Sequence, residues 1–252
     1  MEHWLSRQQT LIGEAGCARL AQSRVAVIGL GGVGGACVEA LARCGIGALF
    51  LMDGDVFAPS NLNRQLLCTV DAVGQPKAEI AKQRVLCVNP ACEVTAVAER
   101  YTEETAHLLA AFRPDFVIDA VDQVTAKLQL ATYCREAGVA NICCLGTGNR
   151  LDAAGFTVGD IADTAGCGCP LAKVMRRELK KRGVEALKVV YSKEKPLQPL
   201  AEQEPAEGTG QESGNEEALH QRRSTPGSLA FVPSVAGLII AGEVVRDLCG
   251  IR

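Results

Sequence analysis

The stretch RVAVIGLGGVG, residues 24–34, joins an unbroken apolar run to a glycine-rich loop. Residues 36–44, which follow, have the composition of a helix, so the stretch predicts a strand, a loop and a helix in succession. A Gly-x-Gly-x-x-Gly loop at such a junction lets backbone amides and the positive end of the helix approach a phosphate group. We therefore predict a nucleotide-binding loop that contains Gly29, Gly31, Gly32 and Gly34.

Apolar strands and helices alternate after this stretch. Strands are predicted over 48–52, 93–97, 116–120 and 140–145, and helices over 77–87, 103–111 and 125–137. This alternation favours an α/β fold with a doubly wound, mainly parallel sheet whose first half is Rossmann-like. Aromatic residues make up 4% of the chain and hydrophobic residues 48%, which suits buried parallel strands better than a β-sandwich.

The pattern changes after residue 151, where we predict a smaller C-terminal extension. It contains strand-like segments over 156–158 and 186–191, a basic helix over 170–182 and an apolar helix over 235–248. Seven glutamates and almost no large apolar residue lie between 194 and 217, so we expect a mobile surface insertion over 194–227. The length of 252 residues fits one domain, and we assign 1–252 to a single domain.

Composition restricts the class of protein. A net charge of -3 argues against a wholly basic surface, so a nucleic-acid partner would meet a local patch. The 12 cysteines follow no hydrophobic signal segment, and several lie in strand-like or helix-like stretches. We therefore expect reduced core thiols in a cytoplasmic protein. No apolar run reaches the roughly 18 to 20 residues of a membrane span, and none is expected.

Polar residues follow the second predicted strand. Asp53 lies 19 residues after Gly34, where it is placed for a ribose hydroxyl. A hydride carrier does not need the cations that come next, whereas attack at the α-phosphorus of a triphosphate builds charge that Arg, Lys and Mg²⁺ neutralise. These polar residues are Asp55, Asn61, Asn63, Arg64, Gln65 and Lys77.

Two carboxylates, Asp119 and Asp122, stand where the fourth predicted strand ends, at the edge where open α/β sheets bind ligands. We predict that Asp119 lies at the nucleotide and that Asp122 holds Mg²⁺ between the phosphates. Mg²⁺ takes one or two carboxylates and leaves its other positions to water and substrate. The alternative for either residue is the N-cap of the helix that follows.

The motifs GLGGVG, DGD, NLNRQ, VGQPK and DAVD, in this order, resemble the ubiquitin-activating-enzyme-like superfamily, which includes the ThiF, MoeB and HesA proteins. The resemblance covers residues 7–145 and implies an ATP-dependent enzyme that adenylates a carboxylate. It also implies a homodimer in which Arg7 enters the ATP site of the partner copy. The residues it assigns to the nucleotide and its Mg²⁺ are the loop glycines, Asp53, Asn61, Arg64, Gln65, Lys77 and Asp122.

The rest of the chain indicates which family within this superfamily the sequence resembles. Carrier-activating bacterial members have two Cys-x-x-Cys pairs for zinc; this chain has neither, so no structural zinc is expected. GTGNRLD at 146–152 and CPLA at 169–172, before the basic helix, resemble the tRNA threonylcarbamoyladenosine dehydratases. That family implies adenylation of the threonine carboxylate of the modified base in tRNA, then cyclisation with release of AMP and pyrophosphate. It leaves open a monovalent cation near the nucleotide and a sulfur-relay partner.

The basic helix offers a surface for tRNA. Its cations recur at helical spacing on one face, and like charges in one stripe repel each other unless a polyanion is near. A solvated amphipathic helix is the alternative. The residues we predict to contact tRNA are Lys173, Arg176, Arg177, Lys180 and Lys181.

Other functions stay open on the sequence alone. The first alternative is adenylation of the C-terminal glycine of a ubiquitin-like sulfur carrier protein. A nucleotide-sensing protein without catalysis and a nicotinamide oxidoreductase are the others. Cys167 and Cys169 leave open a reactive thiol, although a structural role is favoured for Cys169.

Overall fold

The computed structural model describes residues 4–198 and 226–251. The described residues form a seven-stranded sheet with helices around it. The strands are β1 Arg24–Ile28, β2 Ala48–Met52, β3 Glu93–Val97, β4 Phe116–Asp119, β5 Ala140–Cys144, β6 Phe156–Asp160 and β7 Lys188–Ser192. The helices are α1 Ser6–Gln22, α2 Gly32–Arg43, α3 Lys77–Val88, α4 Ala106–Phe112, α5 Val124–Ala137, α6 Pro170–Lys181 and α7 Phe231–Cys249.

The sheet order is β3-β2-β1-β4-β5-β7-β6. All neighbouring pairs are parallel except β6 and β7, which are antiparallel. The doubly wound, mainly parallel sheet predicted from the alternation of strands and helices is therefore confirmed. From β1 the chain proceeds to β2 and β3 on one side, and then crosses to β4 on the other. The point between β1 and β4 is where such sheets bind ligands.

The central strands are buried because helices cover both faces of the sheet. β2 is buried along its whole length, and the four residues Val25 to Ile28 of β1 are buried as well. Unbroken apolar strands of this kind are typical of parallel sheets that have no solvent-exposed face.

Helix α7 lies near the end of the chain and packs against the part of the fold that carries the glycine loop. It packs closely along α2, where Gly237 lies against the Val33 carbonyl and the Cys37 thiol donates to the Gly237 carbonyl at 3.2 Å. No side chain at position 237 would fit between the helices without displacing backbone. This close packing supports the start of α2, which carries part of the glycine loop.

Several boundaries differ from the predicted ones. Helix α2 begins at Gly32, not at residue 36, because the loop glycines themselves enter the first turn. Helix α7 begins at Phe231, ahead of the predicted start at 235, and contains Pro233. A proline is tolerated there because the amides of the first helical turn have no partner within the helix.

The predicted insertion over 194–227 falls mainly on residues 199–225, outside the described residues. The strands predicted after residue 151 join the same sheet as β1 to β5. Within the described part of the chain, no helix is long and apolar enough to cross a membrane.

Candidate active site

A cavity of about 550 Å³ lies at the carboxyl ends of the central strands. Its wall includes the loops after β1, β2 and β3, the segment after β4, residues 144–148 at and beyond the end of β5, and residues near the start of α7. Loops from both sides of the switch point meet here, which is the usual ligand position in an open α/β sheet. The volume lies in the range of small-molecule binding sites.

The glycine loop is held in shape by contacts that exclude side chains. Gly29 has φ +88°, and a Cβ on it would lie 2.7 Å from the Ala120 carbonyl oxygen. Gly34 packs against the Gly29 carbonyl within the first turns of α2. Gly31 is different, because a Cβ on it would meet only the Gln65 side-chain amide nitrogen, at 3.8 Å. The loop therefore presents open backbone to the cavity at Gly31, at the positive end of α2.

Asp53 joins the first two loops. Its Oδ2 accepts the Leu30 amide at 2.7 Å and its Oδ1 accepts the Asp55 amide at 2.9 Å. Both carboxylate oxygens keep lone pairs that a ribose hydroxyl could donate to. Asp53 lines the cavity, as its predicted role requires.

Lys77 is a buried cation at the first position of α3. Its Nζ lies 3.1 Å from Asp55 Oδ2 and 3.9 Å from Asp53 Oδ1. Arg100 binds the other oxygen of Asp55 at 2.8 Å. Partial burial raises the pKa of Asp55, but the hydrogen bond from Lys77 and the charges of Lys77 and Arg100 outweigh it and lower that pKa. Two cations and an ionised carboxylate thus share one side of the cavity.

The NLNRQ segment divides into residues that line the cavity and residues that shape the loop. Arg64 and Gln65 line the cavity, and the buried Gln65 Oε1 has no hydrogen-bond partner within the described part of the chain. Asn61 is buried and accepts the Ala58 amide at 3.0 Å, while Asn63 donates to the Ser228 carbonyl at 3.0 Å. Both asparagines lie outside the cavity wall and hold the loop through these hydrogen bonds, and their predicted contact with the nucleotide stays a prediction.

The two carboxylates after β4 have different surroundings. Asp122 is exposed, lines the cavity, and has no hydrogen-bond or ion-pair partner among residues 4–198 and 226–251. Asp119 is 2% exposed, lies outside the cavity wall and pairs with Lys127 at 3.0 Å. Asp119 thus lies behind the cavity wall, and its predicted contact with the nucleotide stays a prediction. Neither residue caps α5, whose N-cap is Gln123 without a side-chain hydrogen bond.

A free carboxylate that faces a nucleotide-sized cavity fits Mg²⁺, since this ion takes few protein ligands. Asp122 meets that condition. Among the described residues there is no cluster of three or more His, Cys, Asp or Glu side chains that could hold a metal ion by themselves.

Several cavity residues were not predicted from the sequence. Arg100 and Tyr101 follow β3, and Thr147 follows β5. Their position directly after parallel strands is a signal that could have identified them. Ser228 and Pro233 carried no such signal, because only the packing of α7 on α2 brings them to the cavity.

The cysteines near the cavity are buried thiols. Burial raises the pKa of Cys144, which lines the cavity, to about 12, and raises the pKa of Cys143 as well. Cys167 and Cys169 are also buried. Cys169 precedes Pro170 at the start of α6, and its sulfur lies close to Gly146. A thiolate nucleophile at Cys144 is disfavoured, because the thiolate and not the thiol is the reactive form.

Helix α6 buries Ala172, Met175 and Leu179 against the core, and its cations lie on the remaining surface. Lys173, Arg177, Lys180 and Lys181 are exposed. Arg176 instead donates to the Thr164 carbonyl at 2.8 Å and to its hydroxyl at 2.6 Å, so it serves the fold more than the surface stripe.

Glu178 lies among the exposed cations of α6. It accepts hydrogen bonds from Lys181, Arg182 and Arg177, which lower its pKa to about 2.

Arg7 is exposed on α1 and lies outside the cavity of its own chain.

Comparison with known proteins gives relatives that match nearly the whole of this chain. The chain is 41% identical over 250 residues to tRNA threonylcarbamoyladenosine dehydratase of Bacillus subtilis, covering 98% of this chain and 95% of the relative. It is 31% identical to tRNA threonylcarbamoyladenosine dehydratase 2 of Saccharomyces cerevisiae, covering 97% of this chain and 56% of that protein.

Solved structures of other proteins have a similar fold. A structure of Escherichia coli tRNA N6-threonylcarbamoyladenosine dehydratase in complex with AMP matches with a TM-score of 0.82 and 28% identity, covering 97% of this chain and 95% of that chain. A structure of the same enzyme with ATP matches with a TM-score of 0.82 and 29% identity, over the same shares of the two chains. The profile of the ThiF family matches residues 5–252, and this chain belongs to the ThiF family.

Proposed function

We propose that this protein is an ATP-dependent dehydratase that adenylates the threonine carboxylate of threonylcarbamoyladenosine in tRNA and then cyclises it. The observation that carries the proposal is that a phosphate-binding glycine loop, the cations Lys77 and Arg64, and the free carboxylate of Asp122 face one cavity. The substrate is indicated by relatives named tRNA threonylcarbamoyladenosine dehydratase, one of which matches over nearly its full length.

The first step of the proposed reaction places negative charge on ATP. A carboxylate oxygen of the substrate attacks the α-phosphorus, and the bond to pyrophosphate breaks. Backbone amides near Gly31, with Lys77 and Arg64, would stabilise the charge on the phosphoryl oxygens and the leaving group. Asp53 would accept hydrogen bonds from the ribose, and Asp122 would hold Mg²⁺ against the phosphates, where the ion neutralises charge.

The second step needs no nucleophile from the protein. The carbamoyl group of the same modified base attacks the acyl carbon, loses a proton and displaces AMP, so that one ring closes with net loss of water. The task of the cavity is then to orient the acyl-adenylate and to exclude bulk water that would hydrolyse it. The buried thiols near the cavity agree with this role.

The proposal also includes the surface that binds tRNA and the oligomeric state. We place the tRNA on the exposed cations of α6 and the enzyme in the cytoplasm, where tRNA is modified. We also propose a homodimer in which Arg7 reaches the partner's cavity, because Arg7 lies outside the cavity of its own chain.

The test is AMP release from ATP with tRNA that carries or lacks threonylcarbamoyladenosine. We expect release only with the modified tRNA, with one cyclised base formed for each AMP. Stimulation by a ubiquitin-like carrier protein in place of tRNA would contradict the proposal. So would a melting temperature that rises with NAD and not with ATP.

A further inference from the structure

Behind the cavity wall lies a buried ion pair between Asp119 at the end of β4 and Lys127 in α5. The side chains are 2% and 1% exposed, and Lys127 Nζ lies 3.0 Å from Asp119 Oδ1. Neither residue lines the cavity. The pair therefore acts on the site only through the residues it holds.

Each partner also binds the backbone of a different cavity segment. Asp119 Oδ1 accepts the Val121 amide at 3.2 Å, and Val121 and Asp122 line the cavity. Lys127 Nζ donates to the Cys144 carbonyl at 2.8 Å, at the start of the 144–148 wall. One ammonium group thus links the segment that carries the proposed magnesium ligand to the neighbouring wall at 144–148.

The ammonium group has no donor to spare. Its three protons correspond to three acceptors, Asp119, the Cys144 carbonyl and the Cys143 sulfur at 3.4 Å. Burial lowers the pKa of Lys127, but the charge of Asp119, the hydrogen bond to it and the neighbouring sulfurs of Cys143 and Cys144 together outweigh burial and raise that pKa, so the lysine stays protonated.

Stability alone is a poor reason for such a pair. Taking two charges out of water is unfavourable, and apolar side chains of similar volume often replace a buried ion pair without loss of stability. What apolar side chains cannot do is bind the Val121 amide and the Cys144 carbonyl.

We propose that Lys127, through Asp119, is a positioning residue that sets the distance and orientation of Asp122 relative to the 144–148 wall. The inference rests on the adenylation proposed above. Small displacements of reacting groups lower the rate steeply while leaving binding contacts largely intact. Loss of the pair should therefore reduce kcat more than ATP affinity.

The test replaces both partners, Asp119→Leu with Lys127→Met, so that no unpaired charge is left in the core. Lys188→Met is the matched control, because Lys188 forms ion pairs with Glu243 and Asp247 away from the cavity. For the double variant we expect a melting temperature close to that of the control, kcat for AMP release lower by about 100-fold, and an ATP dissociation constant within about threefold of the wild type.

A folded double variant with kcat within about threefold of the wild type, or no lower than that of the control, would overturn the positioning role. If the double variant does not fold, Asp119→Asn with Lys127→Met decides, since it keeps the shape of both side chains and leaves no unpaired charge, but removes the hydrogen bond to the Cys144 carbonyl. We then expect kcat to fall by about 10-fold at unchanged ATP affinity, and an unchanged kcat overturns the inference. Wild-type protein that releases no AMP with modified tRNA refutes the proposed function itself, so the two failures are distinguishable.

Discussion

Lys77 is the cation most firmly placed in the cavity. Its side chain is 8% exposed, and its Nζ faces Asp55 and, at longer distance, Asp53. A buried ammonium next to a phosphate-binding loop offers charge stabilisation that is stronger than in water. We expect Lys77→Met to lower kcat for AMP release by about 10²–10³-fold, as measured with saturating ATP and modified tRNA.

The control for Lys77→Met is Lys82→Met, since Lys82 lies in the same helix and outside the cavity wall. The control should keep wild-type kcat and melting temperature. Equal losses in the two variants would mean that Lys77 acts only through the stability of α3.

At the scale of single residues, the sequence predicted the charged cluster but not the direction of each side chain. Asp119 and Asp122 look alike in the DAVD motif, and both follow β4. Their surroundings differ because Lys127, in the first turn of α5, pairs with Asp119 behind the cavity wall. Asn61 is another such case, because its carboxamide oxygen accepts a hydrogen bond from the amide of Ala58, three residues earlier. Local hydrogen bonds of this kind are not visible in the spacing of motifs.

Helix α6 carries the surface proposed for tRNA. A variant with Lys173, Arg177, Lys180 and Lys181 all changed to Gln removes the exposed cations and retains Arg176, which holds Thr164. Each lost phosphate contact should flatten the slope of log affinity against log salt by about 0.7–0.9. We expect weaker tRNA binding with a flatter slope in filter binding or fluorescence anisotropy, and unchanged ATP affinity.

Glu178→Gln is the control of opposite sign on the same helix. Glu178 engages Arg177, Lys181 and Arg182, so its neutralisation leaves these cations free for phosphate. We expect tighter tRNA binding with a steeper salt slope. Unchanged tRNA binding in both variants would move the tRNA surface away from α6.

The elements themselves were largely predictable, because buried parallel strands are unbroken apolar runs and the helices between them are regular. The pairing of the last elements was not. The antiparallel pairing of β6 with β7 and the packing of α7 on α2 join residues far apart in sequence. The contact of Gly237 with the Val33 carbonyl spans most of the chain, and a single glycine carries no signal for it.

At the scale of the whole molecule, the sheet places loops from both halves of the chain around one cavity. Arg7 on α1 lies outside that cavity. A homodimer with two-fold symmetry would place each Arg7 in the partner's site, and two defective copies could then complement each other.

Mixing Arg7→Ala with Lys77→Met tests this arrangement. In a mixed dimer, the site built on the Arg7→Ala copy keeps its own Lys77 and receives Arg7 from the Lys77→Met copy, so one site of the two is complete. With random exchange at equal amounts, half of the dimers are mixed, and we expect about a quarter of the wild-type AMP release from two variants that are each nearly inactive. Full activity of Arg7→Ala alone would contradict a role for Arg7. Absence of recovery, with mixed dimers confirmed by native mass spectrometry, would place Arg7 in the site of its own copy.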